Sequence, residues 1–182
     1  MTDEPARRPA ALTGPRSVRF VELTSTAMTA LLRDELARAG SEAGVGLTDY
    51  CLGDRAKWVW RYRIDQLAAD PGSAGWLTQA VVAEPEGVVV GYGGFHGPPD
   101  RTDMVEIGHS AAPGHRRQGY TRTMLTALLR RAAAEPGVRT ARVTISPENT
   151  ASPATISGCA FVEVGEQWDE VDGLERILEL PV

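Results

Sequence analysis

The stretch Glu106 to Arg131, EIGHSAAPGHRRQGYTRTMLTALLRR, holds the residue types best suited to chemistry. It reads as a strand, a loop containing arginine and glycine, and an amphipathic helix. The start of a helix presents N–H groups with no intrahelical partner and about half a positive charge, so it is a ready seat for phosphate. Arg116-Arg117-Gln118-Gly119 brings two cations and a residue without a side chain to that seat, where a pyrophosphate can approach the backbone. The loop is not a Walker loop, because no Gly-Lys-Ser/Thr follows, and it lacks the Gly-x-Gly-x-x-Gly of dinucleotide folds. A blander reading stays open, a surface helix with a basic first turn.

Other chemistries find less support. His96, His109 and His115 lack zinc-ligand spacing, and Cys51 and Cys159 lie 108 residues apart, so no metal site is expected. There is no Gly-x-Ser-x-Gly elbow for a serine nucleophile, and Cys159 sits in an apolar turn where a small core residue is the ordinary reading. The arginine-rich helix lies in a chain that is acidic overall and shows no helix-turn-helix or RNA-binding signature, so nucleic acid is not the expected partner.

The 182 residues carry 19 Lys+Arg and 24 Asp+Glu, a formal charge of −5. The distribution is uneven. Gly114 to Arg142 holds seven arginines against Glu135, whereas Glu163 to Glu179 holds seven acids against Arg176. Two stretches of opposite sign imply two different neighbours, or two solvated surfaces. The length suits one domain, expected over residues 18–182 behind a disordered, proline-bearing leader at 1–17. No apolar run reaches the roughly 18 residues of a membrane span, and neither a secretory signal nor a disulfide framework is evident, so a cytoplasmic protein is expected.

The elements that must position the loop are marked by periodicity and punctuation. Val18–Leu23 alternates as a strand, and Thr24–Ala39 has helical spacing with Gly40 as its stop. A second helix is expected from Asp54 to about Ala69, with Trp58 and Tyr62 on one face and Trp60 roughly opposite. Some of Trp58, Trp60, Tyr62 and Trp76 could wall an acceptor or meet a second copy in a homodimer. WLTQAVVAE and VVVGYGGF form a hairpin across Pro85-Glu86-Gly87, and Asp103–Ala111 is a further strand. A helix at Gln118–Ala134, a strand at Arg139–Ser146, a short helix before Gly158 and two last strands split by Val171-Asp172-Gly173 complete the order βααβββαβαββ. That order means an α/β sandwich of mixed strand directions.

Arg116-Arg117-Gln118-Gly119-Tyr120-Thr121 is similar to the R/Q-x-x-G-x-G/A acetyl-CoA loop of the GNAT superfamily of N-acetyltransferases. EIGHSAAP resembles that family's E-I-G-Y-x-V-x-P fourth strand, and SPENTASPATISGCAFVEVGE its N-x-x-S…GF-x-x-VGE segment. The resemblance runs from about Trp76 to the end, nearest to the RimJ/RimL-like branch of ribosomal-protein N-terminal acetyltransferases. It implies a GNAT-like α/β fold with a mixed, mostly antiparallel sheet of about seven strands and helices on both faces. It also implies acetyl transfer from acetyl-CoA to a primary amine, by direct attack on the thioester and without an acyl-enzyme. The acceptor would be a protein N-terminus or a small amine. The acidic residues Glu166, Asp169, Glu170 and Asp172 would favour a cationic one.

By the same resemblance the pyrophosphate rests on Arg116, Arg117, Gln118, Gly119, Tyr120 and Thr121, with Arg122 a further cation and Asn149 a contact to the CoA arm. Backbone groups near Ser110, Ala111 and Ala112 would pair with the pantetheine. Glu106 is the candidate general base, through a water, and His109, titrating near neutrality, is the second. Ser152 stands where a serine could protonate the departing thiolate, although Ser152-Pro153 also reads as an N-cap followed by N1. Thr121 replaces the usual Gly/Ala, and Ala160 the Gly of GF. These departures keep a competing class in view, a non-catalytic CoA-binding or protein-interaction module on the same fold.

Overall fold

Pro85-Glu86-Gly87 closes the central hairpin as its composition implies, with Gly87 at φ 70°. The computed structural model describes residues 16–149 and 152–182. In chain order the strands are β1 (Ser17–Val21), β2 (Gln79–Glu84), β3 (Val88–Phe95), β4 (Met104–Ala111), β5 (Thr140–Ile145), β6 (Val162–Asp169) and β7 (Gly173–Pro181). They form one sheet in the order β1-β2-β3-β4-β5-β7-β6, antiparallel at every pairing except β4–β5. The helices among the described residues are α1 (Ser25–Leu32), α2 (Leu36–Ala43), α3 (Asp54–Ala69), α4 (Tyr120–Ala134) and α5 (Ser152–Ile156).

Alternation along the strands feeds two layers. Ala80, Val82, Val89 and Tyr92 pack with Met28, Leu31 and Trp60 from α1 and α3. On the other face Phe95, Val105 and Ile107 meet Leu125 and Leu128, and Val81, Ala83 and Val90 meet Tyr120 and Met124 of α4. Each fully buried Val, Leu or Met side chain among them contributes about 1.5–3 kcal/mol. This is the mixed, mostly antiparallel sheet with helices on both faces that the resemblance implies. No helix among the described residues is long and apolar enough to cross a membrane.

The first expected helix is two. Asp34 stands at φ 62°, where a short polar side chain is tolerated, and Glu35 N–H returns to Ala30 O, so α1 ends and the chain turns into α2. Gly40 is not a stop but lies inside α2, where a Cβ would press to 2.9 Å from Val45 O. The left-handed cap is Gly44. Most of the expected leader falls outside the described residues. Its last two residues belong to the fold: Ser17 begins β1 and Arg16 Nη1 donates to Tyr120 Oη at 2.8 Å.

The sheet opens in a fork between β4 and β5. β4 and β5 pair only over Met104–Glu106 against Thr140–Arg142. Beyond that point each strand keeps its outer partner, β4 along β3 and β5 along β7, while the inner edges part. The bonds His96 N–H to Glu106 O and Ala112 N–H to Val90 O set the phase of the β3–β4 ladder. By antiparallel alternation the backbones of Gly108 and Ser110 also face β3, whereas those of Ile107, His109 and Ala111 face the open fork.

Candidate active site

The fork opens into a cleft of about 1770 Å³ that runs from the α4 N-terminus to the β6–β7 hairpin. At the basic end, Pro113–His115 makes a short 3-10 turn, Arg117 sits at φ 55° and Gly119 at φ 87°, and α4 begins at Tyr120. The loop is braced by Gln118 Nε2 to Gly114 O (2.6 Å) and by Arg116 Nε to Ala111 O (3.1 Å). The first rung of the helix is Thr123 N–H to Gly119 O, so the preceding N–H groups point into the cleft mouth. Arg116 and Arg117 are exposed, and no carboxylate among the described residues pairs with them. Uncompensated cations on unpaired helix N–H groups fit a bound pyrophosphate.

Several expected contributors to this end have other occupations. Tyr120 is buried in the α4 core, so it offers the cleft its backbone alone. Arg122 donates to Ala154 O and Ser157 O, anchoring α5 and the turn after it instead of standing free as a phosphate ligand. Ala112 N–H is taken by Val90 and the Ser110 backbone faces β3, which leaves Ala111 as the one of the three turned toward the fork. Ser152 is not an N-cap but the first residue of α5, and its N–H is met by the carbonyl and Oδ1 of Asn149, both at 3.3 Å. Asn149, Thr121 and Ser152 all line the cleft.

Glu106 stands at the other end, as the last residue of β4 paired to β5. Its Oε1 accepts from Thr144 Oγ1 at 2.9 Å and lies 3.4 Å from His96 Nδ1, while no described residue holds Oε2. His109, one residue out of phase, points to the opposite face, and burial pushes its imidazole down to about 4. It therefore does not titrate near neutrality, because desolvation without a charge partner disfavours the imidazolium. Burial also holds His96 below the ordinary imidazole range, against the pull of Glu106 and with a push from Arg63 and Arg55.

Around the α3 and β6–β7 end of the cleft lie residues that sequence reasoning did not assemble. Tyr50 Oη and Ser110 Oγ lie 2.5 Å apart, and Tyr50 stacks on Tyr92. Trp58 and Tyr62 stack in parallel and line the cleft half-exposed, while Trp60 is buried with its Nε1 on Cys51 O. Trp76 packs on Phe95 in the opposite layer. Across the cleft the β6–β7 hairpin presents Asp169, Glu170, Asp172 and Glu175, but Glu166 is not among its lining residues. Arg55 spans the mouth from α3 to Asp172 with its guanidinium over Trp58. Helical spacing marked the Trp58–Tyr62 face. No local pattern marked His96, Thr144 or Tyr50, whose partners are distant in the chain.

Comparisons agree with this architecture. The family described as Acetyltransferase (GNAT) domain matches residues 24–162. An L-2,4-diaminobutyric acid acetyltransferase of Streptomyces coelicolor is 38% identical over 76 residues, and the match takes in 41% of this chain and 45% of that relative, under half of its length. Among solved structures, a chimera of the Vibrio cholerae spermidine N-acetyltransferase superposes with a TM-score of 0.62 at 13% identity, covering 92% of this chain and 96% of that one. A ribosomal-protein-S5-alanine acetyltransferase from Vibrio fischeri superposes at 0.59 and 12% identity, covering 91% and 92%. At such identities the superpositions speak for the fold alone.

Proposed function

The chain belongs to the GNAT acetyltransferase family, and from that premise we propose that it transfers the acetyl group of acetyl-CoA to a primary amine at the fork between β4 and β5. One observation carries the reading. A single cleft joins unpaired helix N–H groups and the uncompensated Arg116 and Arg117 to a carboxylate with a free oxygen, Glu106, past a strand edge with open backbone groups.

Arg116, Arg117 and the backbone from Gly119 to Arg122 hold the pyrophosphate, with the CoA arm running past Asn149. The fork-facing backbone of His109 and Ala111 orders the pantetheine and offers a fixed N–H to charge developing on the carbonyl oxygen. The thioester supplies an activated acetyl carbon when bound. Glu106 takes the proton of the incoming amine on Oε2, directly or through a water, because an ammonium has no lone pair to attack with; as the C–N bond forms the C–S bond breaks, and CoA leaves as a thiolate that picks up a proton. Thr144 and His96 fix the orientation of that carboxylate through Oε1. Direct attack is supported by the thiols: Cys51 is fully buried with its thiol pushed up by that burial, and Cys159 packs against the α4 layer. Neither is a nucleophile for an acyl-enzyme.

Calorimetric titration with acetyl-CoA and thiol release across a panel of peptides and small amines test the reading. Binding and amine-dependent release are expected, with Glu106→Gln lowering the rate of release while leaving acetyl-CoA affinity intact. Absence of binding sinks the proposal. Binding without release for any amine favours the non-catalytic module.

A further inference from the structure

Arg63 poses a question that the catalytic groups leave unanswered. It lies on the buried stripe of α3 with Ala56 and Trp60 and is 5% exposed, yet it lines the acceptor end of the cleft. Its Nε donates to Thr78 Oγ1 at 3.1 Å, and its Nη1 to Gln66 Oε1 and, at 3.0 Å, to His96 O. All three acceptors are neutral. No carboxylate among the described residues lies within ion-pair distance of it. Burial lowers its guanidinium to about 10, only partly offset by Tyr62 and Glu106. A buried charge without a counter-ion is expensive, and one is seldom kept where packing or hydrogen bonding alone is needed.

The structural task is also shared. Gln66 Nε2 holds the same His96 carbonyl at 2.9 Å, so bracing that loop does not by itself require a cation. The remaining nitrogen, Nη2, has no partner among the described residues. It is not sealed either, since Thr48 Oγ1 is the fully shielded, unpartnered side-chain atom found among them. The side chain lines the cleft with its guanidinium carbon 5.3 Å from the centroid of the Tyr62 ring, itself a neutral neighbour. The other cation on this wall, Arg55, is neutralised by Asp172. Arg63 is thus a preformed, desolvated anion receptor with one open position, on the wall where the acceptor must sit.

We propose that Arg63 Nη2 receives a carboxylate of the acceptor, so that the substrate is an amino acid presenting a primary amine, not a polyamine or an unmodified peptide N-terminus. This rests on acetyl transfer at Glu106. Arg63 grips the backbone of His96 while the imidazole of His96 touches Glu106, so anion receptor and base are one residue's width apart. A molecule with its carboxylate and amine a few bonds apart spans that interval. A guanidinium suits the task because its planar fork meets a carboxylate in fixed geometry and stays charged when buried.

The test compares L-2,4-diaminobutyrate and L-lysine with their carboxamides and with 1,3-diaminopropane, cadaverine and spermidine, by thiol release. A second readout needs no turnover: thermal stabilisation by 2-aminobutyrate, read against 2-aminobutyramide. The carboxylates should exceed the carboxamides by roughly 10- to 100-fold in kcat/KM, expressed mainly in KM. R63Q should flatten that ratio and abolish stabilisation by 2-aminobutyrate, while R63K should restore part of both. The wild-type comparison stands even where a variant fails to fold. Equal use of carboxylates and carboxamides, or a preference for spermidine, overturns the carboxylate site and leaves acetyl transfer standing. Arg63-dependent stabilisation without acetylation of any amine upholds the site and overturns the transferase reading.

Discussion

Gly108→Ala tests the Glu106–His96 contact without altering either residue. A Cβ built on Gly108 would lie 2.6 Å from His96 Nε2 and 3.2 Å from Cδ2. That is roughly 1 Å inside ordinary contact, so the ring must move by about as much. His96 Nδ1 is only 3.4 Å from Glu106 Oε1, and a displacement of that size breaks the contact. The imidazole is 46% exposed and can swing outward, so the clash is relieved by a side chain and not by the strand. Replacing glycine by alanine in a strand also gains about 0.5–1 kcal/mol, which offsets the repacking. Folding stability should stay within about 1 kcal/mol of the parent.

The kinetic consequence follows from the same geometry. A long contact to a carboxylate sits at the weak end of charge-assisted interactions, about 1 kcal/mol, or some fivefold in kcat/KM. Glu106 then loses one of two groups on Oε1 while Thr144 remains. The assay is a cycle of Gly108→Ala, His96→Ala and the double variant, with urea unfolding alongside the kinetics. Alanine at 108 should cost nothing further once His96 is gone. A second fivefold loss in the double variant would mean that the strand itself had shifted, and the reasoning would fall. Gly91→Ala is the internal contrast. There the Cβ would meet the Ser110 carbonyl oxygen, a backbone atom that cannot swing away. Several kcal/mol of destabilisation are expected on urea unfolding, with β3 and β4 forced apart.

Three further outcomes are expected. His109 has its folded value pushed down to about 4 from an ordinary 6.5. The unfolded state therefore binds the extra proton first, and stability drains away as pH falls from 6.5 through 4, by up to about 3 kcal/mol. Relative to the parent, His109→Gln should be less acid-sensitive in urea titrations over that window and indistinguishable in slope above pH 7; parallel curves throughout would contradict the burial argument. Arg117→Gly relieves a non-glycine residue at φ 55° and removes a cation. It should hold or slightly raise the melting temperature while weakening acetyl-CoA binding in a salt-dependent way, and unchanged affinity would discount this side chain as a phosphate ligand. Arg122→Ala should loosen α5 and lower stability by about 1–2 kcal/mol while leaving the salt dependence of acetyl-CoA affinity as it was.

The elements were legible because proline and glycine bracket them and their periods are clean, which is why even the short α5 and the final hairpin are where composition puts them. The break between α1 and α2 was not. A left-handed Asp34 carries no compositional mark, whereas Gly40 advertises a stop yet serves as a gap for the returning backbone. The proposed phosphate seat could be pointed to from sequence for a related reason, since its cations and helix N–H groups are contiguous in the chain. The charge polarity was only half informative. Arg142 and Glu179 face each other across β5 and β7 and cancel, Arg139 pairs with Asp103, and Arg131 lies over Trp76 and Phe95. That leaves Arg116 and Arg117 as the open cations of that stretch in the cleft.

The acceptor wall was illegible for a deeper reason. Arg63 meets His96 at a separation of 33 residues, Thr144 meets Glu106 at 38, and Arg55 meets Asp172 at 117. Helical spacing can say that Arg63 shares a stripe with Trp60, but an arginine there reads as a snorkelling surface residue. Whether its charge is answered depends on what Thr78, Gln66 and the His96 loop bring to it, and they bring only neutral acceptors. A partner that is missing leaves no trace in a sequence. On the proposed reading, the CoA end of this cleft is built from contiguous motif and the acceptor end from long-range contacts, so the second kind of residue selects the amine. The unanswered guanidinium is where we expect that selection to be made.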